Sequence, residues 1–349
     1  MVITAEHFDY VVGVDTHARS HTYCLLHCRT SAVVATATFP TTQAGMKRAI
    51  GWIDKQATGD VLAAIEGTSS YGASITAVFT NFGMQVTEVR PAARTTHVNT
   101  GKSDTIDAEA AARSTLGQPV DRLAQPRRTG DREALRVLLS SRSLIDQQRT
   151  ANRNALNALV RTTKLGIDAR RALTNAQLRS IAAWRIRNVE ALSPEGIARQ
   201  EARRLAKTVL EQTKALADNN RQLATISDQI APGLQDLTGV GPVSAAIILC
   251  AYSHKGRVRS EAAFATLGGV APLQASSGNS SRHRLSRSGD RQLNRAFDTI
   301  VRTRMMQDPN TADYAARRRS EGRTNREIRR CLKRYVARSI YRQLENTIA

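Results

Sequence analysis

The chain has 349 residues, enough for two or three domains, and a formal net charge of +21 from 51 lysines and arginines against 30 aspartates and glutamates. It has no run near the roughly 20 apolar residues that span a bilayer and no basic stretch leading into an apolar run, as a secretory signal requires. Its four cysteines are too few for a disulfide framework at this length. These features exclude membrane-spanning and disulfide-rich secreted proteins and predict a cytoplasmic protein with no membrane partner.

The segment 1–128 predicts a mixed α/β domain. Three short apolar runs within residues 9–39, YVVGVD, TYCLLHC and AVVATATF, have the composition of strands. A helix over TTQAGMKRAIGWIDKQA, with Thr41 or Thr42 as its N-cap, precedes the strand VLAAIEG. The helix ASITAVFTNFG, closed by Gly83, and the strand QVTEVRP follow. Strands followed by alternating strands and helices are typical of a mixed sheet covered by helices.

Residues 129–230 predict long helices, because two series of residues recur there at spacings of three and four. The first series is Leu135, Leu138, Arg142, Ile145, Arg149, Asn152, Leu156 and Leu159. The second series is Ala202, Leu205, Val209, Gln212, Leu216, Asn219, Leu223, Ile226 and Ile230. Polar residues at two seam positions of the second series favour a coiled coil with a specified register. The alternative is one long amphipathic helix packed inside its own domain.

Residues 231–349 predict a small, mostly α-helical last domain that ends in a basic helical tail. Pro232 and Gly233 break the preceding helix, and the sequence GVGP at 239–242 lies between helical segments. In a helix-hairpin-helix turn, glycines such as Gly239 and Gly241 let backbone N–H groups approach a phosphate closely. The alternative is an ordinary glycine–proline break between helices.

The positive charge is confined to the C-terminal two thirds of the chain. The first 125 residues hold 10 Lys/Arg and 11 Asp/Glu, a net of −1, whereas the remaining 224 hold 41 and 19, a net of +22. Such a surface attracts polyanions and gains affinity for nucleic acid through counterion release. No amphipathic helix offers a bulky aromatic face to an anionic membrane. Nucleic acid is therefore the predicted partner, bound mainly through its phosphates.

Four carboxylates form a candidate metal site. Asp15 and Glu66 each end an apolar strand, and Asp104 and Asp107 are three residues apart in the helix-forming segment KSDTIDAEAAARS. Mg²⁺ prefers hard oxygen ligands, and phosphodiester chemistry commonly uses two divalent cations about 3.5–4 Å apart. Taken singly, each carboxylate has an ordinary structural explanation. An acid at a strand end is typical of a turn or cap, the acids of the helix are typical of a solvated face, and Asp104 fits a helix N-cap. Together they predict Mg²⁺, or Mn²⁺ in its place, as the cofactor.

A group of histidines and cysteines close to the first of these carboxylates fits no closed zinc pattern. The group is His17, His21, Cys24, His27 and Cys28. In strand geometry the two cysteines share a face while His27 points the other way. Ordinary strand residues are the prediction, and His17, beside Asp15, is a candidate to line the carboxylate site.

Residues 268–296, GGVAPLQASSGNSSRHRLSRSGDRQLNRA, are rich in serine, arginine and glycine. Hydroxyl, guanidinium and backbone N–H groups all bind phosphate. The candidate nucleic-acid ligands here are Arg282, Arg284, Arg287 and Arg291. A serine hydroxyl is also a nucleophile when a base or a metal activates it, but composition by itself favours phosphate binding.

The motifs VGVDTH, IEGTSSYG, GKSDTIDAEAAAR, LTGVGPVSA and GGVAPLQASSG…RLSRSGDRQLNRA occur in this order. In this combination the chain resembles the DEDD transposases of the insertion-sequence 110 family over about residues 9–305. That family is related to the Piv DNA invertases and includes bridge-RNA-guided recombinases. The resemblance implies an α/β RuvC-like, ribonuclease-H-type domain over 1–128, a helical coiled coil over 129–230 and a transposase domain over 231–349.

The resemblance also implies roles for individual residues. By motif, the metal ligands would be Asp15, Glu66, Asp104 and Asp107. Ser277, directly before the glycine of ASSG, would form a transient covalent link to a DNA phosphate, with the adjacent Ser276 as the alternative nucleophile. The metal ligands and the serine come from different domains, so the resemblance implies a homo-oligomer. This dimer or tetramer would be assembled through the coiled coil. The implied partners are donor and target DNA and a noncoding guide RNA.

Two rival functions stay open at this point. A Holliday-junction endonuclease of the RuvC type would use water as the nucleophile and leave no protein on the cleaved DNA. A nucleic-acid-binding regulator with an inert ribonuclease-H-like domain would tolerate the replacement of Asp15 by Asn. The residues also leave open whether the reaction is transposition or site-specific DNA inversion.

Overall fold

The computed structural model describes residues 2–89, 103–127, 130–185, 192–274, 283–284 and 289–348. The chain forms two compact units, Met1–Arg127 and Arg128–Ala349. The predicted segments 129–230 and 231–349 both fall in the second unit, and their separation into two domains stays a prediction. Among the described residues no helix is both long enough and apolar enough to cross a lipid bilayer.

The first unit is built on a five-stranded sheet with the strand order β3-β2-β1-β4-β5. Its strands are β1 (Tyr10–Thr16), β2 (Ser20–His27), β3 (Val33–Pro40), β4 (Val61–Glu66) and β5 (Gln85–Val89). The first three strands pair antiparallel, whereas β4 runs parallel to β1 and β5 parallel to β4. The predicted mixed sheet is confirmed.

Helices cover both faces of this sheet. They are α1 (Thr4–His7), α2 (Gln43–Gln56), α3 (Ala73–Asn81) and α4 (Asp104–Leu116), and a short 3₁₀ helix spans Val120–Arg122. One apolar layer joins α2 and α3 to the sheet through Val12, Ile53 and Phe79, and the opposite layer joins α4 to it. Of the two candidate caps of α2, Thr42 is the one used, because its side chain accepts a hydrogen bond from the Gly45 N–H.

The cysteines of β2 belong to the layer that faces α4. Cys24 and Cys28 are buried there among apolar side chains, and burial raises the pKa of each thiol to about 11. Such thiols stay protonated at neutral pH, whereas a zinc ligand must be a thiolate. The His27 Nδ1 atom lies 3.0 Å from the Thr30 Oγ1 atom instead of facing either cysteine. These residues therefore have the ordinary structural roles that their spacing predicts.

The second unit is helical. Its helices are α5 (Asp131–Thr162), α6 (Asn175–Ala182), α7 (Pro194–Ile230), α8 (Pro242–Tyr252), α9 (Glu261–Leu267), α10 (Arg291–Gln307), α11 (Pro309–Ser320) and α12 (Asn325–Thr347). Two short antiparallel strands, β6 (Leu273–Gln274) and β7 (His283–Arg284), form the described β-structure of this unit. A 3₁₀ helix spans Leu234–Asp236.

The long helices α5 and α7 pack against each other along the two series of residues found in the sequence. Asn219 Nδ2 donates to the Leu138 carbonyl oxygen at 3.0 Å, and Asn152 Nδ2 donates to Gln212 Oε1 at 3.1 Å. The α7 seam is thus buried against α5 of the same chain, which corresponds to the alternative of a long helix packed inside its own unit. Coiled-coil assembly between chains stays a prediction.

One apolar core holds most of the second unit together. It includes residues of α5, α7, α8, α9, α10 and α12, and the rings of Tyr252, Phe264 and Phe297 meet edge-on at its centre. A separate cluster packs α6 between the far ends of α5 and α7. With few aromatic residues in the chain, these three rings are concentrated where the largest number of helices meet.

Candidate metal centre

Parallel pairing of β1 and β4 places the first two carboxylates at the same edge of the sheet. Val14 pairs with Ile65, and Asp15 and Glu66 are the next residues along their strands. Because side chains alternate between faces, both lie on the face that α4 covers. The Thr16 hydroxyl donates to the Glu66 carbonyl oxygen at 3.0 Å and so ties the two strand ends together.

Gly13 lets α4 approach this face closely. A Cβ atom at this position would overlap the Ala108 carbonyl oxygen and lie 2.7 Å from the Ala112 backbone nitrogen. The helix backbone therefore rests directly on β1 at Gly13, two residues before Asp15. A glycine inside an apolar strand is a known sign of such a close approach, but the sequence interpretation did not use it.

The other two carboxylates occupy the first turn of α4. Asp104 is the first residue of the helix and Asp107 lies three residues later. Ser103 is the N-cap, and its hydroxyl accepts a hydrogen bond from the Ile106 N–H, so Asp104 does not cap the helix. The positive end of the helix dipole stabilises negative charge in this turn.

The structure brings Asp15 and Asp104 together with His17. One potential ligand atom from each of the three residues lies within 4.8 Å of the other two, and His17 Nδ1 is 3.5 Å from Asp15 Oδ2. Within the described part of the chain this is the one group of three or more such residues at that spacing. Glu66 and Asp107 lie outside this closest group. His17, which the sequence predicts only to line the site, therefore lies in the same cluster as Asp15 and Asp104.

The Asp15 carboxylate is in an environment that disfavours its charge. Burial raises the pKa of the Asp15 carboxyl above its ordinary value, and the negative charges of Asp107 and Asp104 act in the same direction, whereas His17 opposes them. Asp15 Oδ2 is buried and accepts no hydrogen bond from any residue that the structure describes. A cation bound among clustered, buried carboxylates would stabilise their charged form.

The donor set fits a divalent cation. Carboxylate oxygens are the ligands that Mg²⁺ and Mn²⁺ prefer, and an imidazole nitrogen is a common additional ligand for transition metals. Asp15, His17 and Asp104 would supply such atoms directly. Asp107 and Glu66 stand on the same helix turn and the same sheet edge.

The proposed nucleophile falls outside the described residues, as do Ser276, Arg282 and Arg287. In the amino-acid sequence, Ser277 comes after the last residue of β6 and before the first residue of β7. Arg284 belongs to β7, and Arg291 is the exposed first residue of α10.

The base of this serine-rich segment is tightly built. A Cβ atom at Gly289 would overlap the Gly269 backbone, so the two glycines permit a close contact between the ends of the segment. The Asp290 N–H donates to the Leu267 carbonyl oxygen at 2.7 Å, and Asn294 Nδ2 donates to the Gly268 carbonyl oxygen at 2.7 Å. The two ends of the serine-rich segment are therefore held to α9 and α10.

The GVGP sequence forms a turn between the 3₁₀ helix and α8. Gly239 has φ +86° and packs against the Ile300 backbone of α10, and Gly241 is the N-cap of α8, followed by Pro242 in its first turn. Arg304 Nε donates to the Thr238 carbonyl oxygen at 2.7 Å and fixes the turn. Its binding of phosphate stays a prediction.

Comparison with known proteins decides the family. A model of the DEDD transposases of IS110 elements, described as "Transposase", matches residues 12–164. A second model, described as "Transposase IS116/IS110/IS902 family", matches residues 231–316. The chain belongs to the IS110 family of transposases. In this IS110-family chain the first match contains all four carboxylates, and the second contains the GVGP turn and Ser277.

A named relative of this IS110-family chain comes from Sinorhizobium fredii and carries the name "Putative transposase y4pF/y4sB". The two sequences are 27% identical over 237 residues, which are 67% of this chain and 59% of that protein. The chain thus matches less than two thirds of its relative's length.

Proposed function

We propose that this chain is a transposase that cleaves and exchanges DNA strands at a divalent-metal site formed by Asp15, Glu66, Asp104 and Asp107. The observation that carries the proposal is the clustering of Asp15, His17 and Asp104, in which Asp15 Oδ2 is buried and accepts no hydrogen bond from a described residue. Family membership supports the reaction class, because both family matches are to transposases.

The first unit would be a ribonuclease-H-type, RuvC-like domain. A five-stranded mixed sheet with three antiparallel strands followed by two parallel ones supports this assignment. In such a sheet the carboxylates sit at one edge, on strands and a helix whose positions are fixed by packing. Rigid elements of this kind hold ligands more reproducibly than loops do.

The four carboxylates and His17 would bind the cation and hold it at the sheet edge. When bound, Mg²⁺ or Mn²⁺ would polarise the scissile phosphate and lower the pKa of a coordinated oxygen. Asp15 would bind the cation through a carboxylate that is already shielded from water, since its Oδ2 atom is buried without a hydrogen-bond donor among the described residues.

Ser277 would be the nucleophile of strand cleavage. Its hydroxyl oxygen would form a bond to phosphorus while the bond from phosphorus to one deoxyribose oxygen breaks. The serine proton passes to solvent, and the departing deoxyribose oxygen takes up a proton. A phosphoserine link conserves the phosphodiester energy, so a second DNA end can reverse the step and complete strand exchange. Arg282, Arg284 and Arg287 would stabilise the negative charge that develops on the phosphate.

The proposed partners are donor and target DNA, a noncoding guide RNA, and further copies of this chain in a dimer or tetramer. The large positive charge of the second unit supports nucleic-acid binding in general and does not distinguish DNA from RNA. The protein would act in the cytoplasm, on the nucleoid.

Metal binding tests the tetrad directly. Titration of the full chain with Mn²⁺, followed by electron paramagnetic resonance, should show binding that Asp15→Asn and Asp104→Asn each weaken by at least about 100-fold, because each removes a charged ligand. His17→Ala should weaken binding about 10-fold. Asp121→Asn, which removes an exposed acid of the same unit, should leave it unchanged. Equal affinity in all variants would contradict the site.

The nucleophile is tested on a denaturing gel with labelled double-stranded substrate. Wild-type protein should leave a DNA end that carries covalently bound protein, and Ser277→Ala should abolish this adduct while Mn²⁺ binding persists. Adducts that survive in Ser277→Ala but disappear in Ser276→Ala would move the role by one residue. Cleaved ends without protein would favour a water-using, RuvC-type endonuclease instead.

A further inference from the structure

The C-terminal helices α11 and α12 carry a dense positive charge that the proposed reaction does not use. The family matches end at residue 316, within α11. Residues 309–348 hold eleven arginines and lysines and four acids, a net of +7. A charge of this density at the end of the chain points to a polyanionic partner.

Several of these cations are neutralised by acids of the same unit. Arg318 pairs with Glu321, Arg329 and Lys333 pair with Asp298, and Arg338 and Arg342 pair with Glu261. The pairs to Asp298 and Glu261 tie α12 to α10 and α9, whereas the Arg318 pair lies at the end of α11. Arg323 also pairs with Glu327, and Arg319 Nε donates to Asn325 Oδ1 at 3.0 Å.

Two further arginines are available to a partner. Arg317 and Arg334 form no ion pair with any acid that the structure describes. Arg330, one helical turn before Arg334, interacts electrostatically with Glu327. Arg334 Nη1 is buried and has no hydrogen-bond acceptor among the described residues.

An exposed aromatic side chain directly follows Arg334 on α12 and contacts the tyrosine over which Arg317 lies. Tyr335 is 55% exposed and meets Tyr314 of α11 edge-on, with ring centroids 6.1 Å apart and an interplanar angle of 81°. The Arg317 guanidinium lies over the Tyr314 ring, 5.6 Å from its centroid. Tyr314 thus supports Tyr335 from one side, while much of the Tyr335 ring remains open to solvent.

We propose that the Tyr335 patch, formed by Tyr314, Arg317, Arg334 and Tyr335, binds single-stranded nucleic acid. The arginines contact phosphates, and an unpaired base stacks on the Tyr335 ring. Positively charged surfaces with exposed aromatic rings bind single strands in this way because every base has a face that can stack. In a duplex the base faces are already covered by neighbouring bases, so Tyr335 gives no comparable gain there.

The charge of the Tyr335 patch also argues against two other binding partners, a second copy of this chain and a lipid surface. A second copy of the same surface would bring like charges together, which is unfavourable. An anionic lipid surface would attract the arginines, but it would need a broad apolar helix face to bury, and α12 presents one exposed tyrosine flanked by charged residues.

The test is fluorescence anisotropy of the full chain with a labelled 20-nucleotide strand and with the duplex of the same sequence, both in EDTA. Tyr335→Ala should weaken single-strand binding about 10-fold, the equivalent of one lost stacking contact, with duplex affinity unchanged. Tyr335→Phe should retain wild-type affinity, because it keeps the ring. Tyr71→Ala, which removes a tyrosine 63% exposed in the first unit, is the matched control.

The arginine contribution is read from the salt dependence. Arg317→Gln and Arg334→Gln should each lower the slope of log affinity against log salt by about 0.7 for the single strand. Arg48→Gln, an exposed arginine of α2, should not change it. DNA and RNA strands of the same sequence are compared in parallel, and stronger RNA binding would identify contacts to the 2′-hydroxyl.

Three results would overturn the proposal. The first is a Tyr335→Ala protein whose affinities for the single strand and for the duplex fall by the same factor, which would mean electrostatic binding without base stacking. Another is wild-type affinity in that variant. The third is concentration-dependent self-association, by sedimentation, that Tyr335→Ala removes. The proposal does not rest on the metal site, because binding in EDTA is measured with the carboxylates unoccupied by metal.

Discussion

At the scale of single residues, the candidate metal centre depends on Gly13 as well as on its carboxylates. Asp15 is positioned by β1, and the close contact of α4 with the Gly13 backbone brings Asp104 near it. The Thr16 hydroxyl performs a related task by tying the Glu66 backbone to β1. Neither residue is a candidate ligand, yet both determine where the candidate ligands lie.

Gly13→Ala should therefore damage both stability and metal binding. The added methyl group meets helix backbone, which cannot move aside as a flexible side chain can, so the free energy of unfolding should fall by about 1–3 kcal/mol. Urea denaturation gives this value, and Mn²⁺ titration should show weaker binding in the fraction that remains folded. In Gly51→Ala, where no atom lies within 4 Å of the new methyl group, stability should stay the same or rise slightly. A Gly13→Ala protein with wild-type stability would show that α4 does not pack as described.

At the scale of secondary-structure elements, α10 and α12 form the support of the serine-rich segment. Asp298 of α10 accepts hydrogen bonds from Arg302 Nε at 2.7 Å and interacts with Lys333 Nζ of α12 at 3.0 Å. Lys333 also donates to Asn294 Oδ1, and Asn294 in turn donates to the Gly268 carbonyl oxygen. One polar network thus connects the terminal helix to the base of that segment.

Asp298→Asn should destabilise the second unit in a pH-dependent way. Burial alone would raise the pKa of Asp298, but hydrogen bonds from Lys333 and Arg302 outweigh it, and the pKa lies below its ordinary value of 3.8. A lowered pKa in the folded state contributes stability above pH 3.8 that is lost as pH falls through the folded pKa. The variant should lose about 2 kcal/mol at pH 7.

Urea denaturation at pH 7 and at pH 3 measures this effect. The difference between wild type and Asp298→Asn should shrink at the lower pH, where the wild-type carboxyl begins to take up its proton. Asp313→Asn, an exposed acid on α11, should change stability little at either pH. A constant difference at both pH values would show that the charge of Asp298 is not what stabilises the network.

The paired helices α5 and α7 show that one spacing of apolar and polar residues fits helix pairing between chains and within one chain. The same apolar and polar spacing that favours a coiled coil between chains also fits a partner helix in the same chain. Asn219 is 5% exposed, and its side chain is satisfied by the Leu138 carbonyl group of α5. A buried asparagine therefore specifies the register of a pair within the chain.

At the scale of the whole molecule, charge is divided between the two units. Met1–Arg127 holds eleven basic and eleven acidic residues, a net of zero, and Arg128–Ala349 holds the full excess of +21. The nucleic-acid attraction that we propose would therefore come from the second unit, whereas the carboxylate cluster lies in the first.

Affinity of the full chain for DNA should consequently fall steeply with salt. A protein with six to ten phosphate contacts loses roughly 10³–10⁵-fold in affinity between 50 and 200 mM salt. Filter binding or anisotropy across that range measures the slope. Asp15→Asn should leave the slope unchanged, because it alters the first unit alone. A shallow slope would mean that few phosphates are contacted despite the charge.

The sequence by itself determined much of this protein. Apolar runs placed the strands of the mixed sheet, and motif order identified the IS110 family that the comparisons then showed. Short-range patterns of this kind are set by the chain's own residues, so they can be read without coordinates.

The tertiary structure decided what depends on distant residues meeting. It showed that His17 and Asp104 flank Asp15, that Ser103 and not Asp104 caps α4, and that α5 covers the α7 seam. Each of these depends on packing between segments far apart in the chain, which spacing alone does not encode. The carboxylates could be named from the sequence, but their proximity followed from a glycine that lets a helix lie directly on a strand.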